Sequence, residues 1–218
     1  MVHEDTLPLS TQPKTSGRIL AVAERLAQTR GFNGFSYADI AADLAITKAS
    51  LHYHFATKAE LGRALIARYA ERFAEGLAEI DKAADVETRI RRYMKLYESV
   101  LVRDRMCLCG MFAAEYETLP AAMQQELRHF FNINEIWLIR NLESGRKAGR
   151  LRFEGSATGT VRLLIAALEG AMLLARAYGE PARFTATAKR LLAELRASRS
   201  SRGPAKRPAK SAPKNRRP

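Results

Sequence analysis

The sequence is short of cysteine, of long apolar runs and of the motifs that carry enzyme chemistry, and each shortage excludes something. Its two cysteines, Cys107 and Cys109, are too few for a disulfide framework. A one-residue gap is an awkward span for an intrachain bridge, so both are expected as free thiols. The longest apolar stretch, Leu163 to Ala175, is interrupted by Glu169 and falls short of the about 20 residues a membrane span needs. The first 17 residues are polar and proline-bearing, without the apolar segment of a secretory signal. A cytoplasmic chain with no membrane association is therefore expected. P-loop, GxSxG, HExxH and dinucleotide glycine patterns are all missing, as is an evident acid/base pair, so no enzyme, cofactor or metal is expected.

What is present is charge, unevenly placed. The 218 residues carry a formal net charge of +13, but the segment 198–218 alone holds eight Lys and Arg with no acid. Without it the net falls to +5. That segment also holds four of the eight prolines and no large apolar side chain, so it is expected to be a disordered basic tail. Residues 1–13 are expected to be a disordered arm. Residues 1–60 are electrically balanced, with Lys14, Arg18, Arg25, Arg30, Lys48 and Lys58 set against six acids.

Between these ends the apolar residues recur at helical period and no alternating strand pattern stands out, which predicts an all-α fold of about nine helices. Ile19, Val22, Ala23, Leu26 and Ala27 form one stripe on a first helix from about Lys14 to Arg30, stopped by Gly31. Ser36 with Asp39, Thr47, and Thr57 with Glu60 supply three helix starts in 22 residues, hence three short-range helix boundaries. Later helices are read from Leu61 to Ile80, from Ile90 to Leu101 and from Cys107 to Glu117. The rest run from Pro120 to before Gly149, from Ala157 to Tyr178 and from Phe184 to Ala197.

A helix, a short helix, a tight turn and another short helix make the layout of a helix-turn-helix, whose second member enters the major groove of DNA. Ile40, Ala41, Leu44, Ile46, Leu51 and Phe55 can close on the first helix, leaving Thr47, Lys48, Ser50, Tyr53 and His54 outward. The segment IAADLAITKASLHYHFATKAEL, residues 40–61, resembles the signature of the TetR/AcrR family, and the likeness extends over about residues 14–197. The resemblance implies a helix-turn-helix domain at 14–60 and an effector-binding and dimerisation domain at 61–197. It places Ser36, Tyr37, Thr47, Lys48, Ser50, His52, Tyr53, His54 and Lys58 at DNA, with Lys58 on a phosphate. Two positions depart from the family pattern. Ala45 stands where glycine is usual in the turn, and His52 where tyrosine is usual. His52 and His54 point apart on a helix, which argues against a metal pair.

The resemblance further implies a homodimeric transcriptional repressor on a palindromic double-stranded operator, released by a small-molecule effector or by thiol modification. The other reading is an architectural protein that holds DNA non-specifically through its basic tail. For the dimer, Leu163, Leu164, Ala167, Ala171, Leu174 and Ala175 with Leu191 and Leu195 are the candidate face. Glu169, in its middle, must be paired or solvated. For the effector pocket the candidates are Tyr93, Tyr97, Cys107, Met111, Phe112, Tyr116, Phe130 and Trp137, residue types that equally build cores. Cys107 and Cys109 open a helix near Arg103 and Arg105, in a segment similar to that of electrophile-sensing family members. There a thiol would have a lowered pKa, while its plainer role is a small buried hydrophobe.

Overall fold

A computed structural model describes residues 15–196; the arm at 1–13, Lys14 and the basic tail lie outside the described residues. Nine α-helices fill the described chain: α1 Thr15–Arg30, α2 Tyr37–Leu44, α3 Lys48–His54, α4 Lys58–Asp81 and α5 Val86–Leu101, then α6 Leu108–Ala114, α7 Ala121–Lys147, α8 Ala157–Ala177 and α9 Ala182–Leu195. Among the described residues the only extended pairing is an isolated antiparallel bridge between Leu151 and Arg196.

The three short-range helix starts form as expected. Ser36 Oγ accepts from Asp39 N while the Asp39 carboxylate accepts from Ser36 N, a reciprocal cap. Thr47 accepts from Ser50 N and Thr57 from Glu60 N, at 3.2 and 3.1 Å. Glu60 reaches one residue further back than the usual box, to Ala56 N. The expected sixth helix is cut short. It ends at Ala114, because Glu115 leaves helical backbone and sends its carboxylate to Phe32 N and Asn33 N, and a 3-10 turn at Tyr116–Thr118 follows.

The turn between α2 and α3 closes at Ala45, whose φ of 53° lies in the left-handed region, with Ile46 N donating back to Ala41 O. A residue with a Cβ there costs about 1–2 kcal/mol that glycine avoids, less what glycine loses in chain entropy. Ala45→Gly is expected to stabilise by about 0.5–1 kcal/mol and to raise the melting temperature by about 2–4 °C. A lowered melting point would show that Ala45 makes compensating contacts.

One continuous apolar core runs from Ile19 on α1 to Leu195 on α9. Helix α4 lies along α7, α8 packs on α9 and α7, and α5 fills the gap between α4, α7 and α9. Helix α8 is long and apolar enough, by length and composition, to cross a membrane, which a count of uninterrupted apolar residues misses. Its inner face, with Val161, Leu164, Leu168 and Met172, is committed to the core. Its outer face exposes Leu163, Leu173 and Leu174.

Candidate functional site

At the N-terminal end, Ile40 and Ala41 of α2 and Leu51 of α3 are buried against Ile19, Ala23, Leu26 and Ala27 of α1. This leaves Thr47, Lys48, His52, Tyr53 and His54 exposed on the outer side of α3, with Ser50 half-buried. Tyr53 is 86% exposed and touches only the edge of His54. His52 Nδ1 lies 3.1 Å from Ala56 O. A carbonyl only accepts, so Nδ1 carries the proton and Nε2 is left as an acceptor when the ring is neutral. The His52 ring leans on Tyr37, whose hydroxyl donates to Phe55 O at 2.8 Å and ties the start of α2 to the end of α3. Burial pushes that phenol up to about 12. Ser36, Tyr37, Lys48, His52 and Lys58 border one shallow cleft at the first turn of α2.

The C-terminal half has a polar core inside an aromatic one. Tyr93 Oη donates to Asn134 Oδ1 at 2.9 Å and lies 3.1 Å from Tyr97 Oη, while Asn134 Nδ2 donates to Phe130 O. Trp137 stacks on Tyr93, and Phe73 presents its ring at steep angles to Tyr93, Tyr97 and Phe130. Tyr69 Oη rests on Cys107 Sγ at 3.9 Å. Beneath α6 the Glu169 carboxyl takes a hydrogen bond from the Cys107 thiol and faces the Gly110 backbone, while its Oε1 is sealed from solvent with no hydrogen-bond partner among the described residues. Burial pushes this acid up to about 7. Between the ordinary carboxylate value and about 7 the folded chain holds a proton that the unfolded chain releases. This group's contribution to stability therefore falls as pH rises through that window.

The two halves meet at the C-terminal end of α1. Arg176 of α8 donates to Gln28 O and Thr29 O at 3.1 and 2.6 Å, placing a cation on the carbonyl end of the helix. Met106 N donates to Gln28 O just before α6, and the Glu115 carboxylate just after α6 accepts from Phe32 N. Gly31, at φ 83°, leaves the room for that carboxylate; a Cβ there would collide with Glu115 Oε1. Glu24 of α1, nearly buried, takes Arg72 of α4 on both oxygens at 2.6 Å.

Residues 19–65 match the family model described as "Bacterial regulatory proteins, tetR family", and residues 86–191 match "Tetracyclin repressor-like, C-terminal domain". A TetR-family transcriptional regulator from Agrobacterium tumefaciens superposes with a TM-score of 0.81 at 34% identity, over 84% of this chain and 97% of that one. This chain belongs to the TetR family. A TetR transcriptional regulator from Legionella pneumophila is 31% identical, with a TM-score of 0.79 over 85% of this chain and all of that one. The HTH-type transcriptional repressor NemR of Escherichia coli is 26% identical over 176 residues, 76% of this chain and 86% of that protein.

As a TetR-family transcriptional regulator the chain departs from several sequence expectations. Lys58 is not an outward arm: its ammonium donates to Phe35 O and lies 4.7 and 4.6 Å from the ring centres of Phe32 and Phe35, and desolvation lowers its pKa. The Tyr37 hydroxyl is likewise spent inside the protein. Of the pocket candidates, Tyr93, Tyr97, Phe130 and Trp137 come together and Cys107 lies beside them. Phe112 instead packs on Phe32, and the Tyr116 hydroxyl pairs with Arg128 at the surface. Met111 is only partly buried, packed against the core. Leu164, Ala171, Ala175 and Leu195 are buried in the subunit's own core, so they cannot form a face for a second copy. Glu169 is neither paired nor solvated at Oε1. Glu115 and Arg176, which join the halves, carried no sequence signal, since their partners lie over 80 and about 150 residues away.

The cysteines reverse the expected direction. Both are buried, and burial pushes both thiols well above the ordinary value, with the Glu169 carboxylate adding to the rise. The N–H of Gly110, 3.4 Å from Cys107 Sγ, pulls the other way and loses. The native protein at pH 8 is expected to leave an aromatic disulfide reagent almost unreacted over minutes, and to release two thiols per chain in guanidinium. Prompt native reaction of one thiol would restore the reactive-cysteine expectation.

Proposed function

We propose that this regulator is a homodimeric repressor that reads a palindromic operator with α3 and lets go when an effector occupies the sensor half. In this reading residues 14–60 form the DNA-reading unit and 61–197 the sensor and dimer unit. The observation that carries it is the outer side of α3, where Thr47, Lys48, His52, Tyr53 and His54 stand exposed among the described residues. Hydroxyls, an imidazole acceptor and an amine suit base edges and phosphates. The similarity to NemR, named a repressor, supports the direction of regulation.

The dimer reading rests on the outer face of α8. Leu163, Ala166, Ala167, Gly170, Leu173, Leu174 and Ala177 follow one helical stripe, with half-buried Leu191 of α9 nearby. Two copies joined there would present two α3 helices to half-sites about 34–36 Å apart or an allied spacing. Release requires an effector that binds one conformation better than the other, and the Glu115, Met106 and Arg176 contacts to α1 offer the mechanical link. Genomic-fragment selection at physiological salt tests this. A short enriched palindrome, resistant to random competitor DNA, is the expected result. Enrichment of nothing, with equal competition by random DNA, would transfer the binding to the basic segment 198–218.

A further inference from the structure

We propose that Glu169 is the anchor of the effector site, and that the effector is an organic ammonium ion bearing an aromatic group. This deepens the reading of residues 61–197 as a sensor and rests on it. Among the described residues, Glu169 Oε1 is sealed from solvent without a hydrogen-bond partner. The groups facing the carboxyl are Cys107, Cys109 and Gly110 from the α6 segment, Tyr69 from α4, and Tyr93 and Tyr97 from α5. None is a cation. The Cys107 thiol hydrogen-bonds to the carboxyl but leaves Oε1 without a partner; a buried oxygen of that kind is a standing cost to folding, and such groups collect where a ligand supplies the missing partner.

The surroundings define that partner. Tyr69, Tyr93 and Tyr97 lie within electrostatic reach of the acid, with Phe73 and Trp137 packed on the Tyr93 ring, and a cation is attracted both to ring faces and to a carboxylate. An anion would be repelled by Glu169, and a neutral apolar molecule would leave Oε1 as it is. A cleft of about 410 Å³ between α1, α4 and α5 has Tyr69 and Phe73 among its walls, and Tyr69 packs on Phe130 and rests on Cys107 through a long sulfur contact. In this proposal the ligand reaches Glu169 by displacing the Tyr69 ring. Arg68, Arg103 and Arg105 also line this cleft, so they slow a cation's approach, an effect that salt relieves. A ligand wedged between α8 and α6 pushes on the segment that holds α1 through Met106 and Glu115.

Calorimetric titration of the full chain, without DNA, tests this with naphthylmethylammonium, naphthylmethanol and naphthylacetate as matched probes. The ammonium is expected to bind at least about tenfold tighter than the alcohol at pH 8, and the acetate more weakly than either. Because the carboxyl must lose its proton first, ammonium affinity is expected to fall about tenfold per pH unit below about 7. Glu169→Gln, which keeps the side chain's size, should erase both the preference and the pH dependence. Gly110→Ala should exclude all three probes, since its Cβ would press directly on Glu169 Oε2. Equal binding of ammonium and alcohol, no ammonium binding at millimolar concentration, or unchanged binding by Glu169→Gln would overturn the proposal. Tighter binding of the acetate would do so too, and would move the anchor to the arginines. A chain that binds the ammonium yet selects no palindrome would keep this site and lose the repressor reading; the converse result would do the opposite.

Discussion

Tyr53→Ala is expected to weaken operator binding at least about 30-fold while leaving the fold and the proposed dimer untouched. The side chain is 86% exposed and its one aromatic neighbour is His54, on the same helix. Truncating such a group alters folding stability by no more than about 0.5 kcal/mol. At a DNA surface the same ring and hydroxyl act at each of two half-sites. A good side-chain contact to DNA is worth about 1–3 kcal/mol, so the dimer loses about 2–6 kcal/mol, a factor of about 30 to 10⁴. Fluorescence anisotropy with the selected palindrome, paired with sedimentation, reads both quantities. Lys48→Gln provides the contrast: it should weaken specific and random DNA alike and reduce the salt slope by about 0.9 for each phosphate the lysine had neutralised. Normal affinity in Tyr53→Ala would mean that α3 is not the reading helix.

The outline of the molecule was legible because its signals are local. Periodic apolar residues and the caps at Ser36, Thr47 and Thr57 act within four residues of themselves, so the helix boundaries around the turn follow from them. What could not be read depends on distant partners. Nothing near Glu115 says that it will leave its helix for the N–H of Phe32. The cysteines look activated beside Arg103 and Arg105, but a carboxyl from α8 sits beneath Cys107 and water does not reach it, so desolvation outweighs the helix terminus. Lys58 looks like a phosphate arm because sequence does not show that Phe32 and Phe35 close around it. Aromatic residues are ambiguous for the same reason: Tyr93 and Phe112 carry identical local signals, yet one lies in the polar core and the other at the joint with α1.

Helix α8 poses the sharpest case of that ambiguity, and Gly170→Arg resolves it. The helix is apolar nearly all round, so periodicity cannot say which stripe meets the subunit core and which meets a second copy. The structure answers the first half: Leu164, Leu168, Ala171 and Ala175 point in, whereas Leu163, Leu173 and Leu174 remain 66, 53 and 59% exposed and are the stripe proposed for a second copy. Burying a whole leucine contributes about 1.5–3 kcal/mol, so covering what is exposed of six leucines, three from each copy, contributes roughly 5–11 kcal/mol. Association costs about 4–15 kcal/mol, so the dimer depends on close approach of small residues as well as on these leucines. Gly170 lies at the middle of the stripe, and an added Cβ there meets nothing within 4 Å among the described residues. The arginine therefore fits the isolated subunit, and replacing a mid-helix glycine even favours the helix by about 0.7–1 kcal/mol. Against a second copy it holds the helices apart and buries an unpaired charge. Sedimentation should show a folded monomer whose melting temperature no longer rises with protein concentration. Operator affinity should fall at least about 100-fold, because each half-site must then be held alone. A dimer that survives Gly170→Arg would place the interface elsewhere and leave the leucines of α8 without a partner.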